Sequence, residues 1–342
     1  MGIQSKRQVR AALVFVARPL LFAIALTVVV RVLFGGGSSS SKQKSDHDHL
    51  QQALSNSKSQ HGLGEAPKQK SHHDLHRDHS HERHKTTRPV KKVGGGLTTA
   101  LVVASSSRMV TNGDTAWLAD VPASWQPVFH YVTDAPLSPE LSVPVHKGNE
   151  AMAYLTYIVD HYDDLADVVV FHHGHRRGWH QEMDSVDEVK RLRPEYVAKA
   201  GYASLRCLPG CENVIVLANY AVDQSELHRH PRDVQLTTLL DDFLDKDAGE
   251  NVPVRLASPC CAQFAASRQA IQRRSRAWWR SLRQWVIDTP VVDQESGRLL
   301  EHTWHVWLGN ESYHCPQYDA CQCHTYGIGA DCEAYFALEE KM

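Results

Sequence analysis

The chain has 342 residues, 37 Lys and Arg against 39 Asp and Glu, a formal net charge of -2 and eight cysteines. That length admits one large domain or two ordinary ones. The near-neutral total hides an asymmetry: residues 1–93 carry 16 basic against 6 acidic side chains, and the remainder 21 against 33. The basic excess lies in a tract poor in aromatic residues, which excludes a nucleic-acid partner held by stacking and phosphate contacts.

Lys6, Arg7 and Arg10 precede an apolar run from Ala11 to Val30, interrupted by Arg18-Pro19 and closed by Arg31. About 20 apolar residues span a bilayer, and the positive flank places the N-terminus in the cytoplasm. Residues 1–10 read as a cytoplasmic tail and 11–34 as an uncleaved transmembrane signal anchor, since no Ala-x-Ala-like site follows Val30. A cleaved signal peptide with Pro19–Val30 as its apolar region is the alternative. Either reading sends the chain into the secretory pathway; the anchor makes it a single-pass type II membrane protein with a luminal C-terminal body in the endoplasmic reticulum or Golgi. Residues 35–96 are rich in Ser, Lys, Gln, Gly and His and too poor in apolar groups to order, so they read as a disordered stem. Its histidines, His72 to His84, are taken as part of a solvated tract.

Residues 97–342 form the expected luminal domain. Leu97 to Ala104 is a short apolar β-branched run meeting a polar loop, Ser105-Ser106-Ser107-Arg108. A second strand is expected over Phe129–Thr133. Gly148-Asn149-Glu150 opens a helix to about Tyr162 with Ala151, Leu155, Ile158 and Val159 on its apolar side. Val168–Phe171 is continuously apolar, as the centre of a parallel sheet requires. A helix over Asp184–Leu192, a strand over Tyr202–Arg206 and a helix over Thr237–Leu244 follow. Strand, helix, strand in this order predicts a single mixed, mostly parallel α/β sheet flanked by helices.

The central strand ends in Phe171-His172-His173-Gly174-His175-Arg176-Arg177-Gly178-Trp179-His180. Ligand sites of open α/β sheets lie at the carboxyl ends of strands, and imidazole serves as a ligand for Zn, Mn or Fe or as a base near neutral pH. His173, His175 and His180 are the candidate metal ligands, with Mn or Zn as the ion; a surface loop with backbone-bonded histidines is the bland alternative. Cys207-Leu208-Pro209-Gly210-Cys211 reads as a local disulfide around a turn. Asp245-Lys246-Asp247 matches the Asp-x-Asp pattern of metal-dependent sugar transferases but lies in a loop before a glycine.

Val254–Ala257 and Pro259 lead into Cys260-Cys261, a polar elbow and a helix from about Ser267. Gln263, Ser267 and Arg268 are candidate phosphate contacts there, with Arg206 at the end of the Tyr202 strand. A helix over Ser275–Ile287 carries Trp278, Leu282, Trp285 and Val286 on one face and Arg276, Arg280 and Arg283 on another. Along a further helix, Gly297–Leu308, Glu301 and His305 lie one turn apart and are the candidate acid–base pair. The tail, with Cys315, Cys321, Cys323 and Cys332, is expected to be irregular and stapled by disulfides. Asn310-Glu311-Ser312 is an N-glycan acceptor pattern.

The body resembles a fungal family catalogued as domain of unknown function 3431. The resemblance rests on Tyr157-Ile158-Val159-Asp160 with Tyr162-Asp163, on Val170-Phe171 with His173-Gly174-His175 and Trp179-His180, and on Leu205-Arg206-Cys207. It continues through Cys260-Cys261-Ala262-Gln263-Phe264 with Ser267-Arg268, through Ser296-Gly297-Arg298 with Glu301 and Trp304-His305, and ends in His314-Cys315-Pro316. It covers roughly Leu97 to Gly327. More distantly the arrangement resembles glycosyltransferases with a single nucleotide-sugar-binding α/β domain (the GT-A type), which place Asp-x-Asp where this sequence has the histidine run.

The first expectation is therefore a luminal transferase taking sugar from a nucleotide donor. His173 and His175 would bind the ion or diphosphate, Arg268 would neutralise phosphate charge, and Glu301 or His305 would deprotonate the acceptor. A histidine-metal hydrolase or oxygenase is the second reading, and a non-catalytic, disulfide-rich, membrane-anchored binding module is the third.

Overall fold

A computed structural model describes residues 96–211, 213–217 and 231–339. The expected cytoplasmic tail and anchor, and all of the stem but Gly96, lie outside the described residues. No helix among the described residues is long and apolar enough to cross a membrane.

Five strands form the main sheet: β1 (Thr99–Ser105), β2 (Val128–Val132), β3 (Val168–His173), β4 (Tyr202–Ser204) and β7 (Phe264–Ser267), in the spatial order β2-β1-β3-β7-β4. A two-stranded ribbon, β5 (Ile215–Val216) with β6 (Arg255–Leu256), stands apart from it. β1 pairs in parallel with β2 and β3, while β7 runs antiparallel between β3 and β4. The expected mixed, mostly parallel sheet is thus present.

All seven residues of β1 and the first five of β3 are buried. Burial on both faces explains why these strands are apolar throughout rather than alternating. One face carries Ala100, Val102, Ala104, Val169, Phe171 and Phe264, packed on helices α2 (Glu150–Asp160) and α7 (Arg276–Asp288). The other carries Leu101, Val103, Val168, Val170 and Ala265, packed with Trp117, Val189 and Val197. Val189 comes from α3 (Ser185–Arg191) and Val197 from α4 (Pro194–Ala200).

Several expected elements are redrawn. The residues after Cys261 do not form an elbow running straight into a helix: Phe264–Ser267 is a buried strand, whose small Ala265 and Ala266 fit between β3 and β4. Ser267 then accepts from Ala270 N at 3.1 Å and caps the short helix α6 (Arg268–Gln272). The helix expected over Gly297–Leu308 is two helices, α8 (Asp293–Glu301) and α9 (Trp304–Trp307). They break at Thr303, whose hydroxyl bonds back to the carbonyls of Leu299 and Leu300.

Cys207 and Cys211 do not pair with each other. Cys207 joins Cys321 and Cys211 joins Cys315, so both reach the tail, while Cys323 joins Cys332 and Cys260 joins its neighbour Cys261. The tail is helical rather than irregular, with α10 (Tyr318–Tyr326) and α11 (Cys332–Glu339) held on the body; Arg193 grips Glu339 through Nη1 and Nη2 at 2.9 and 3.1 Å.

Phe264 tests the placement of β7. Its ring lies 4.9 Å from Phe171 and 5.3 Å from Trp304. Phe264→Ala should lower unfolding stability by about 3–5 kcal/mol in a denaturant titration; a loss near zero would mean that the segment is a surface elbow.

Candidate metal centre

The chain enters the sheet at β1, crosses to β2 on one side, and returns to β3 on the other. The crevice between the carboxyl ends of β1 and β3 is therefore the point where strand order reverses, the favoured ligand site of open α/β sheets. β3 delivers its histidines there, with His172 opposite Val103 and His173 opposite Ala104. Gly174 lets the two loops close. A Cβ at that position would come within 2.5 Å of Ser105 Cβ, and its carbonyl accepts the Trp117 indole N–H at 2.8 Å.

His172 turns to the helix face and is fully buried. Its Nδ1–H donates to the His173 carbonyl at 2.8 Å, and its Nε2 lies 3.0 Å from Glu188 Oε2 and 2.8 Å from the Gln263 amide. Glu188 also accepts from Gln181 Nε2 at 2.8 Å, and Gln181 in turn accepts from Gly178 N at 2.5 Å. Ser185 Oγ donates to the carbonyls of His175 and Arg176, both at 2.8 Å. These bonds hold the loop that carries His175 and His180 against α3.

The three other histidines converge. One ring nitrogen from each lies within 4.8 Å of those of the other two, with ring centroids 5.2–5.7 Å apart. A Cβ on Gly178 would meet His175 Nε2 and His180 Nε2 at 2.7 Å each, so glycine leaves the space in which both rings face inward. The Nε2 atoms of His173 and His175 are buried with no hydrogen-bond partner. Burial, and then the neighbouring imidazoles, push His173 well below its ordinary pKa; burial lowers His175 and His180 to about 4. All three are neutral at pH 7, the state in which imidazole binds a metal ion. Buried, unpartnered and mutually facing nitrogens fit an ion.

A second cluster, Cys260, Cys261 and Glu301, also gathers metal-binding atom types. Its two sulfurs are bonded to each other and offer no thiolate, so it does not fit an ion in this state. It makes instead a rigid corner, with Cys261 and Ala262 at φ +87° and +48°. Such left-handed backbone in non-glycine residues concentrates at functional sites. The corner aims Cys261 N–H at Glu301 Oε1, 2.6 Å away, and Cys260 Sγ accepts from Arg206 Nη1 at 2.6 Å. Arg206 reaches on toward the histidines, where its charge helps to lower His180. Burial raises Glu301 above the usual carboxylate range.

Of the residues singled out from the sequence, His173, His175, His180, Arg206 and Glu301 are joined by this run of contacts, and Gln263 supports it through His172. Ser267 and Arg268 are not. Ser267 pairs with Val168 at the start of β3, five residues and about 17 Å from His173. Arg268 pairs with Asp167 at 3.1 Å and lines an open cleft with Leu97 and Arg273 at that opposite end. The reason is the direction of β7, which carries its carboxyl end away from the carboxyl end of β3. His305 is fully buried, donates Nε2–H to the Ser312 carbonyl at 3.0 Å and is lowered to about 3 by burial. The break at Thr303 separates its bonding from that of Glu301. Asp245, Lys246 and Asp247 are exposed in a turn after α5 (Pro231–Phe243), where Asp245 bonds Ala248 N.

Sequence reasoning missed Glu188 and Gln181, whose side chains give no local pattern, and Glu150 at the head of α2. Burial, with the charges of Glu301 and Asp293, lifts the Glu150 carboxyl to about 8. An unfolded carboxyl titrates near 4.5, so the folded state holds the extra proton between those values. The stability this group contributes is full below pH 4.5 and lost as pH rises toward 8. The melting temperature of Glu150→Gln relative to the parent should therefore rise between pH 5 and pH 8.5; a constant difference would place Glu150 in water.

No curated protein and no solved structure matches the chain. A family model described as "Protein of unknown function (DUF3431)" matches residues 101–324, from β1 through the histidine loop and the Cys260–Cys261 corner into the tail, and the chain belongs to that family.

Proposed function

We propose that the protein is a divalent-metal-dependent transferase of the secretory pathway that moves a sugar from a nucleotide-diphosphate donor. The observation that carries this reading is the set of three neutral, inward-facing histidines at the reversal point of strand order. His173, His175 and His180 would hold the ion, and an all-imidazole donor set suits zinc better than manganese. When bound, the ion supplies positive charge against a diphosphate leaving group.

Arg206, fixed by its bond to Cys260, adds a guanidinium fork for phosphate oxygens. Glu301 would act as general base. Burial raises its pKa, which strengthens it as a base, and Cys261 N–H holds one of its oxygens. The acceptor hydroxyl gives its proton to Glu301 as its oxygen bonds the sugar carbon, and the bonding pair of the old linkage departs with the diphosphate. The anchor at residues 11–34 and a luminal body complete the proposal; the positive flank and the fully paired cysteines of the described body support them.

Three imidazoles without a carboxylate are also the donor set of hydrolytic zinc sites that keep one position open, which favours a metal hydrolase as the second reading. Thermal denaturation separates the two, since a ligand of the native state raises its stability by mass action. Zinc should raise the melting temperature of the parent but not of His173→Ala, and one nucleotide-diphosphate sugar should add a further shift only in the metal-loaded parent. A zinc shift with no nucleotide effect would favour the hydrolase. No zinc shift would contradict both.

A further inference from the structure

Among the eight tryptophans, Trp179 alone is exposed, at 85%, while Trp278 and Trp285 are partly buried and Trp117, Trp125, Trp279, Trp304 and Trp307 are at most 3% exposed. It adds nothing to the core, yet it is firmly placed. Gln181 N donates to Gly178 O at 3.2 Å, closing a four-residue turn, and Gly178 N donates to Gln181 Oε1 at 2.5 Å. Of the two corner residues of this turn, His180 points inward to the histidine cluster and Trp179 points outward. Their rings lie 5.6 Å apart at 84°. The Arg206 guanidinium carbon sits 5.5 Å from the indole centroid, on the same arginine that contacts the disulfide corner.

We infer that Trp179 is the stacking platform for the sugar ring of the substrate, an inference that rests on the transferase reading. An indole held outward beside a phosphate-binding group suits a ligand that is apolar on one face and wet on the other, and a pyranose has this character. Trp179 is the residue next to His180, with the two rings 5.6 Å apart, so a group stacked on the indole lies beside a phosphate held at the histidines, as a sugar joined directly to that phosphate would. Arg206 bridges the two parts, with charge for the phosphate and its position over the indole fixing the ring plane.

The test uses the full-length chain in detergent, loaded with zinc, with acrylamide quenching of tryptophan fluorescence, which reports chiefly on exposed Trp179. The probes are UDP, GDP, UDP-glucose, UDP-N-acetylglucosamine, GDP-mannose, glucose 1-phosphate and mannose 1-phosphate. At least one sugar-bearing probe should protect the parent and bind tenfold or more tightly than its matching nucleoside diphosphate. Trp179→Ala should lose that tenfold with its zinc content unchanged, and Trp179→Phe should keep most of it. Equal protection by UDP or GDP, equal affinity in Trp179→Ala, or no protection by any probe would overturn the sugar platform. Protection by a sugar 1-phosphate with no nucleotide binding would overturn the nucleotide-donor reading and leave the platform standing.

Discussion

A strand buried on both faces that ends in two histidines creates a constraint that the rest of the site answers. His172 cannot reach water, and an unsatisfied polar group in such a place costs about 1–3 kcal/mol. The Gln263 amide at the head of the antiparallel strand meets it, with Glu188 from a helix lying 3.0 Å from the same nitrogen. The same carboxylate bonds Gln181, and through it the turn at Gly178. One buried polar cluster thus registers helix α3, strand β7 and the histidine loop against each other. These bonds set the positions of side chains that are themselves left open, although Gln263 Oε1 within the cluster has no hydrogen-bond partner.

Those open side chains define the chemistry. His173, His175 and His180 turn nitrogen atoms toward one another where burial keeps them uncharged. An unliganded protein carries this as a penalty at low pH: the unfolded histidines take up protons below about 6.5, whereas folded His175 and His180 resist until about 4 and His173 is also held well below its ordinary value, so their contribution to stability is present above 6.5 and lost as pH falls through that window. A bound ion reverses the balance by using the same lone pairs. The Cys260–Cys261 corner does complementary work, because its left-handed backbone presents one N–H to Glu301 and its sulfur to Arg206.

The sheet was legible because β1 and β3 are unbroken apolar runs and α2 shows helical periodicity. The histidine site was legible for the same reason: a run of imidazoles after a central strand falls where such sheets place their ligands. Strand β7 was not, because Phe-Ala-Ala-Ser has no alternation of its own and becomes a strand only through its neighbours. That oversight also displaced Ser267 and Arg268, which the antiparallel direction carries to the far edge. The break at Thr303 and the pairing of Cys207 and Cys211 with the tail are tertiary outcomes; a hydroxyl bonding back to the helix and two long-range disulfides decide them, and local spacing carries neither.

The most direct test of the metal centre is a crystal structure of the protein grown with zinc and measured at the zinc absorption edge. The account predicts one strong anomalous peak bound by His173, His175 and His180, with a position left open toward Arg206. No peak among these histidines, or zinc held elsewhere while their nitrogens stay apart, would contradict it.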